Sequence, residues 1–193
     1  MNRQHRLNDN DLFATLGERY KEHIHTISVP KNTVLLTQGS IASALYLVRE
    51  GMLRLYHNTD DGKDITLQFF SPGQSVASIE SLYLGTPSNF SLETISACTL
   101  AVLSREDILR YLHDDNDVQR LTTEYACLRL IDYITLFLSR IKDSPEKRYE
   151  TLLATQPELL TQVPHHYIAS YLGISATSLS RIRRRLAEKN DKS

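Results

Sequence analysis

Apolar and polar positions follow different patterns in successive parts of the chain. Residues 7 to 23 have apolar side chains at helical spacing, which predicts a helix. These side chains are Leu12, Phe13, Leu16 and Tyr20. From His25 to about Leu103 the apolar residues come in short alternating runs broken by glycine, a pattern typical of β-strands. After Ser104 the helical spacing returns.

The middle region predicts about eight antiparallel strands. Glu50-Gly51 separates apolar runs at residues 45–48 and 53–56, which predicts a hairpin. A second tight turn at residues 60–63 precedes another run at residues 65–70. The turns are evenly spaced, and no helix is predicted between the strands. This pattern favours an antiparallel sandwich or jelly roll, and the helices around it make the whole chain an α+β protein.

A long helix is predicted after the strands. Residues 104–107 open a short helix, and the acidic residues 114–117 can cap a long one that reaches about Lys142. The long helix has two apolar stripes: Leu121, Tyr125 and Leu128 in the first, and Leu130, Ile134, Phe137 and Ile141 in the second. One stripe can cover the sheets, whereas the second needs another cover. A second copy of the helix in a two-fold dimer supplies one, and burial within the same chain is the alternative.

Two short helices joined by a glycine are predicted near the C-terminus. The first has apolar residues at helical spacing, namely Ile168, Ala169 and Leu172. Gly173 follows where that helix would end, and Ser175 can cap the next one. The second helix has an apolar stripe formed by Leu179, Ile182 and Leu186. Four arginines lie between residues 181 and 185. A helix-turn-helix with a basic second helix predicts binding in a DNA major groove.

Charge is distributed unevenly along the chain. The 193 residues have a net charge of −1, but from Lys142 onward nine Lys and Arg stand against six Asp and Glu, a net charge of +3. The preceding 141 residues have a net charge of −4. A basic C-terminal part in a nearly neutral chain favours a nucleic-acid partner.

A break at residues 143–146 separates the long helix from this basic part. Pro145 disfavours helix in the residue before it and suits the first turn of a new helix, so we expect a hinge there. The predicted domains are an effector domain over residues 1–113, a dimerisation helix over residues 114–142 and a DNA-binding domain over residues 143–193.

Composition excludes several other classes of protein. No signal-like apolar core follows residues 1–6, and no run approaches the ~18 apolar residues of a membrane span, so we expect a cytoplasmic protein without a membrane partner. Cys98 and Cys127 are too few for an iron–sulfur cluster or a zinc site, and we expect no metal and no cofactor. No catalytic motif stands out, so we do not expect an enzyme.

The order of jelly roll, long helix, hinge and helix-turn-helix resembles the Crp/Fnr family of bacterial transcription factors. The resemblance extends from about Val34 to Leu186 and rests on four segments in order. These are Leu36-Thr37-Gln38-Gly39, residues 45–56, Phe70-Ser71-Pro72-Gly73 and residues 168–186. It implies a homodimer in which a cyclic-nucleotide-binding-like domain repositions winged helix-turn-helix domains through the long helix.

The chain departs from family members that bind cyclic AMP. Those members use a Gly-Glu pair for the ribose and a later Arg-Ser or Arg-Thr pair for the phosphate. Here Ala77-Ser78 and Ser88-Asn89 stand at these places. A buried phosphate without a cationic partner has a large desolvation cost, so we expect that cyclic AMP is not the effector.

Other effectors are only partly excluded. The oxygen-sensing branch of the family uses N-terminal cysteines, and this chain has none before Cys98. Haem bound through His57 or His113 stays open as an alternative. An unknown small molecule is another, and its predicted pocket is lined by Val76, Ile79, Leu82, Ser88, Asn89 and Phe90.

The second helix of the helix-turn-helix also departs from the best-known pattern. Ala176-Thr177 replaces the Arg-Glu of those members, whereas Arg181 is kept. We expect Arg181 to contact guanine, and Ala176 and Thr177 to contact a thymine methyl group or a base edge. By resemblance, three further residues hold phosphates: His166, Ser175 and Ser178. Arg184 and Arg185 are expected to contribute mainly affinity.

The predicted function is that of a dimeric, sequence-specific transcription regulator. Its expected partners are palindromic double-stranded DNA, a second copy, RNA polymerase and an unknown small-molecule effector. Alternatively, the chain is a ligand-sensing or protein-interaction module whose C-terminal helices bind a protein. A cupin-type metal enzyme is a third interpretation, since His23-Ile24-His25 has the spacing of two metal ligands, but no glutamate follows to complete the site.

Overall fold

A computed structural model describes residues 10–190, in which two antiparallel sheets are followed by a helical C-terminal part. The strands are β1 (Ile24–Val29), β2 (Val34–Leu36), β3 (Ala44–Glu50), β4 (Leu53–Asn58), β5 (Asp64–Phe70), β6 (Ser75–Val76), β7 (Ser91–Thr94) and β8 (Cys98–Ser104). The helices are α1 (Asn10–Arg19), α2 (Ile79–Leu84), α3 (Arg105–Asp114), α4 (Asn116–Lys142), α5 (Pro145–Thr155), α6 (Pro157–Gln162), α7 (His165–Leu172) and α8 (Ala176–Asn190). The predicted α+β class is confirmed.

Each sheet has four strands, and their apolar faces form one core. The strand order is β1-β8-β3-β6 in the first sheet and β2-β7-β4-β5 in the second. Side chains from both sheets are almost fully buried, among them Leu47, Val48, Leu53, Leu92, Leu100 and Leu103. The alternation in the sequence therefore predicted this β-roll correctly, because each strand turns alternate side chains into the core.

The hairpin predicted at Glu50-Gly51 is wrong. β3 and β4 lie in different sheets, and the chain crosses from one sheet to the other at this point. Gly51 has φ +85°, and a Cβ there would lie 2.3 Å from the carbonyl oxygen of Ala97. Glycine is therefore required by a close approach to the segment before β8 rather than by a hairpin turn. The second predicted turn does connect a hairpin, because β4 pairs with β5.

A helix interrupts the strands, although none was predicted. α2 follows β6 directly, and its C-cap is Gly85 in the left-handed conformation, with φ +71°. With six residues it is too short for its pattern to be distinguished from a strand or a loop. Its buried side chains are Ser81 and Leu82, whereas Ile79 is exposed.

α1 is attached to the start of the long helix by charge and stacking. The helix predicted from residue 7 begins outside the described residues. At its other end, Arg19 donates to both carboxylate oxygens of Asp115, and the Tyr20 hydroxyl donates to the same group at 2.8 Å. Tyr20 also stacks on Tyr111 of α3, with ring centroids 3.6 Å apart. Asp115 is in addition the N-cap of α4, as its sequence predicted.

The two apolar stripes of α4 have different environments. Val118 is fully buried, Leu121 packs against the core of the roll, and the Tyr125 hydroxyl contacts Ser75 of β6. The second stripe is exposed over half or more of each side chain: Leu130, Ile134, Phe137 and Ile141. Leu121 and Tyr125 of the first stripe thus cover the sheets as predicted, whereas Leu128 of the same stripe is exposed. Nothing in the described chain covers the second stripe.

Residues 143–190 form four helices, α5 to α8, joined by short turns. α5 begins at Pro145 after the cap of Ser144, so the predicted break after the long helix is confirmed. The wing expected beside the helix-turn-helix is not found, because no strand follows β8 within residues 10–190. The segment before α7 begins with Pro157 and forms α6, and the one after Gly173 continues as a single helix to Asn190. Across residues 10–190, no helix combines the length and apolar character needed to cross a membrane.

Candidate nucleic-acid interface

The turn between α7 and α8 has the geometry that its sequence predicts. Gly173 ends α7 in the left-handed conformation, with φ +68°. The Ile174 amide donates back to the Ala169 carbonyl at 3.0 Å, which closes the helix end as in a Schellman motif. The Ser175 hydroxyl then accepts from the Ser178 amide at 3.1 Å and so caps α8. Two helices are therefore joined by a short and fully hydrogen-bonded turn.

The inner face of α8 packs on α7. Leu179 and Ile182 are buried in the same cluster as the three apolar residues of α7 named in the sequence, and Leu186 lies at its edge. The side chains of the remaining faces are mostly exposed. Ala176, Thr177 and Arg181 belong to this exposed set, which we call the reader face together with Arg184.

The four arginines of α8 have different surroundings. Arg185 donates to the Glu146 carboxylate of α5 at 2.6 Å, and Arg183 contacts the ring of His165. Arg184 is 3.8 Å from Glu188, a weak exposed pair one turn away. Arg181 makes no hydrogen bond or ion pair with any other described side chain. Arg181 and Arg184 are therefore the guanidinium groups most available to a ligand.

The residues predicted to hold phosphates lie at the starts of the two helices. His166 is exposed at the start of α7, with its ring 4.0 Å from that of Tyr167. Ser175 and Ser178 are hydrogen-bonded to each other at 2.9 Å between their hydroxyl oxygens. The guanidinium, hydroxyl and imidazole groups of α7 and α8 can donate hydrogen bonds to phosphates and to base edges.

The sequence did not indicate that the helix-turn-helix is attached to the rest of the protein. Arg140 of α4 donates to the Tyr171 carbonyl at 2.7 Å, and Arg148 of α5 donates to the Leu172 carbonyl at 2.9 Å. Tyr171 also packs against Phe69 of β5, with ring centroids 5.4 Å apart. Hydrogen bonds from arginine side chains to backbone carbonyls cannot be predicted from a sequence pattern.

The interior of the roll has little space where the predicted effector pocket was expected. A cavity of about 10 Å³, enough for about one water molecule, is lined by Leu35, Leu36, Ala42, Ser43, Ala44, Tyr46, Ala77, Ser78 and Leu92. The six residues predicted to line a pocket do not line this cavity. Val76, Leu82 and Ser88 are buried in packed surroundings, whereas Ile79 and Asn89 are exposed and Phe90 is half-buried. Ile79 is turned outward because it lies on the exposed side of α2.

Two serines occupy the place where the family resemblance implies a nucleotide phosphate. The Ser88 hydroxyl donates to the Ser78 hydroxyl at 2.8 Å, and both side chains are buried. The Phe90 amide donates to Ser88 at 3.0 Å. No charged residue lines the adjoining cavity. The polar groups satisfy one another, and the site has no cation for an anionic ligand.

No metal site is evident in the part of the chain that the structure describes. Within residues 10–190, no three His, Cys, Asp or Glu side chains come together as a metal ion would require. Of the histidines considered as cupin-type ligands, His23 contacts Asp107 and His25 is exposed on β1.

A β-roll, a long helix with an exposed apolar stripe and a helix-turn-helix follow one another in this chain. Residues 26–115 match the family model described as the cyclic nucleotide-binding domain. Over most of its length the chain is similar to Crp/Fnr-type transcription regulators, as the relatives below indicate.

Two relatives align with most of the chain. The cyclic AMP receptor protein of Thermus thermophilus is 28% identical over 163 residues, which cover 82% of this chain and 75% of the relative. The nitrogen fixation regulation protein FixK of Bradyrhizobium diazoefficiens is 28% identical over 182 residues, which cover 88% and 71%.

Solved structures share the fold at lower identity. FixK2 from Bradyrhizobium japonicum superposes with a TM-score of 0.77 at 19% identity, and the match covers 86% of each chain. The c-di-GMP responsive regulator CLP of Xanthomonas campestris gives a TM-score of 0.73 at 21% identity and covers 92% of this chain and 93% of its own. The arrangement of roll, long helix and C-terminal helices is therefore a known one.

Proposed function

We propose that this protein is a dimeric transcription regulator that reads a palindromic DNA site through the reader face of α8 and does not respond to cyclic AMP. The observation that carries the proposal is the exposure of two surfaces in one chain. One is the cationic reader face, and the other is the second apolar stripe of α4. A protein that reads two-fold symmetric DNA needs both.

The reader face supports DNA as the partner. Arg181 and Arg184 are exposed, and the other two arginines of α8 are held by α5 and α7, so the helix is fixed while its outer side stays accessible. A guanidinium group can bind guanine O6 and N7 together, which gives sequence discrimination.

The α4 stripe supports a parallel dimer. Its apolar side chains are exposed in the single chain, and burying them against a second copy removes them from water. The roll packs on the N-terminal half of α4 and the helix-turn-helix follows its C-terminal end. Only a parallel pair brings both reader faces to the same end of the dimer, where they can contact adjacent half-sites.

Selection of bound sequences from random or genomic DNA tests this function directly. We expect a palindrome with two identical half-sites, about one helical turn apart. Binding should weaken steeply as salt rises, because phosphate contacts release counterions. If no sequence is enriched and the protein instead captures a protein partner with little salt dependence, the C-terminal helices form a protein-interaction module.

Titration with cyclic AMP and cyclic GMP tests the effector. The Ser78–Ser88 pair lacks the positive charge that a buried phosphate requires, so we expect no heat of binding in calorimetry at micromolar concentrations. A saturable micromolar titration would show that the roll opens and supplies a cation from elsewhere.

A further inference from the structure

A buried arginine of the roll lies directly beneath the helix-turn-helix. Arg54 of β4 is only 1% exposed, although its charge is retained. Its guanidinium forms ion pairs with Glu93 of β7 at 2.7 Å and with Asp64 of β5 at 2.9 Å, and it donates to the Thr66 hydroxyl at 3.0 Å. Burial by itself lowers the pKa of Arg54, but the hydrogen bond to Asp64 and the two carboxylates raise it. The roll therefore supplies every charged partner of this arginine.

Tyr167 is the contribution of the helix-turn-helix to the same cluster. The Arg54 guanidinium carbon lies 3.5 Å from the centroid of the Tyr167 ring and 4.2 Å from that of Tyr56. Cation–π attraction is strongest where water is excluded, as it is here. Burial raises the pKa of Tyr167, and its hydroxyl interacts with the Glu93 carboxylate. The Tyr167 ring of α7 thus covers the buried guanidinium of Arg54, which belongs to the roll.

A serine one turn later fixes α7 to the edge of a sheet. β5 is the last strand of its sheet, so one side of its backbone has no strand partner. The Ser170 hydroxyl accepts from the Thr66 amide at 2.9 Å and donates to the Asp64 carbonyl at 3.2 Å. These two bonds satisfy the backbone groups that an edge strand leaves open. Tyr167 and Ser170 therefore dock α7 at two adjacent points.

The helix α7 lies between the roll and the reader face, and the roll also carries α4 with its second apolar stripe. α4 is seated on the roll through Val118 and Tyr125, and α8 is packed on α7 through Leu179 and Ile182. One path from the α4 stripe to the reader face therefore runs through the roll and crosses to α7 at the Arg54 cluster. A second path runs directly from Arg140 of α4 to the Tyr171 carbonyl at the end of α7. The angle at this crossing, together with the Arg140 contact, sets where each reader face lies relative to the axis of the proposed dimer.

We propose that Arg54 and Tyr167 are positioning residues for DNA recognition, which set the separation of the two half-sites that the dimer accepts. The inference rests on the proposed function. Because each added base pair rotates a half-site by about a tenth of a turn around the DNA axis, a fixed angle selects one spacer length. A loosely attached helix-turn-helix would tolerate several.

The first experiment measures docking without DNA. Tyr167→Ala removes the ring and leaves the ion pairs of Arg54 within the roll intact. We expect the Thr66 amide to exchange with solvent roughly tenfold faster or more in NMR, while amides of β5 that bond to β4 stay protected. Tyr167→Phe keeps the ring and should retain wild-type exchange. Tyr83→Ala, which removes an exposed tyrosine of α2, is the control for loss of a tyrosine. Unchanged exchange at Thr66 in Tyr167→Ala would overturn the inference.

The second experiment measures spacer preference on the selected palindrome. Wild type and Tyr167→Phe should lose roughly tenfold in affinity when one or two base pairs are added between half-sites. Tyr167→Ala should bind a single half-site as tightly as wild type and show little difference among spacers. If Tyr167→Ala keeps the wild-type preference, Arg54 and Tyr167 do not position the reader face. Failure of wild type to bind even a half-site would instead refute DNA binding itself, so the two failures are distinguishable.

Discussion

The four arginines between residues 181 and 185 fall into two groups according to their surroundings in the structure. Arg183 and Arg185 contact His165 and Glu146, and these contacts fix α8 to its neighbours. Arg181 and Arg184 keep their guanidinium groups on the outer side. A basic sequence run therefore overstates the charge that a ligand meets, because part of it is neutralised within the protein.

Arg181 is expected to carry sequence specificity. Arg181→Ala should relax the preference at one symmetric base-pair position in each half-site, with a loss of ~1–3 kcal/mol there. Arg184→Ala removes a phosphate contact and should leave the selected sequence unchanged, while the salt slope falls by about one per contact. Binding-site selection on both variants, with salt titrations, separates the two roles. An unaltered consensus for Arg181→Ala would assign the base contact to another residue.

The stabilisation that Asp115 contributes by holding α1 should depend on pH. The hydrogen bonds from Tyr20 and Arg19 lower the pKa of Asp115 to about 2, below its value of ~3.9 in an unfolded chain. A lowered carboxyl pKa stabilises the folded state above the unfolded value, and this contribution is lost as the pH falls towards 2.

Asp115→Asn keeps a capping side chain but removes the charge. Wild type should therefore have the higher urea midpoint at pH 7, and the difference should shrink between about pH 4 and pH 2. Asp114→Asn removes the neighbouring exposed carboxyl and serves as the control. Equal midpoints for wild type and Asp115→Asn at pH 7 would contradict the expected role of the charge.

At the scale of the elements, α4 is one helix with two functions along its length. Its N-terminal half is part of the core of the roll, and its C-terminal half presents apolar side chains to solvent. Residues 127, 134 and 141 are seven apart, which is the repeat of a left-handed coiled coil.

A charge in the exposed stripe should prevent dimerisation. Ile134→Asp would place an unpaired carboxylate in an apolar interface, at a cost of several kcal/mol. Light scattering should then give the mass of a single chain. Thr135→Asp adds the same charge one residue away, at a polar position outside the second stripe, and should remain dimeric. An intact dimer for Ile134→Asp would place the interface elsewhere.

Cys127 provides a test of the direction of the two helices in the proposed dimer. It is exposed in the single chain and lies in the same seven-residue repeat as Ile134. In a parallel pair in register, the two Cys127 side chains face each other closely enough for a disulfide. Mild oxidation should yield a covalent dimer that Cys127→Ser cannot form. Absence of this product from a dimeric wild type would indicate an antiparallel or shifted pairing.

Helix starts and most strands could be predicted from neighbouring residues in the sequence. Contacts between residues far apart in the sequence could not. Ser104, Asp115, Ser144 and Ser175 each cap the helix that their sequence predicted, because capping depends on a few neighbouring residues. Strand pairing depends on the whole fold, so the turn at Gly51 was assigned to a hairpin that does not exist. Arg54 lies in an alternating strand, and no local pattern shows that α7 covers it.

At the scale of the whole molecule, the domain boundary expected near residue 143 stays a prediction. Side chains from both sides of it pack together. The helical break lies there, but one apolar cluster extends across it. Met52, Phe69 and Ile95 of the roll are buried together with residues of α5 to α8. The second hydrophobic core is therefore built by residues from both sides of the predicted boundary.

This joint core limits how such a regulator can diversify. A helix-turn-helix that is exchanged between proteins by recombination keeps its own apolar residues but leaves behind the surface formed by Met52, Phe69 and Ile95. In a new host, the transplanted segment would expose apolar side chains or leave a cavity, and either defect is destabilising. If α8 reads DNA as proposed, new specificities should therefore arise by substitutions on the exposed side of α8, where a change contacts no other part of the protein, rather than by exchange of the whole C-terminal segment.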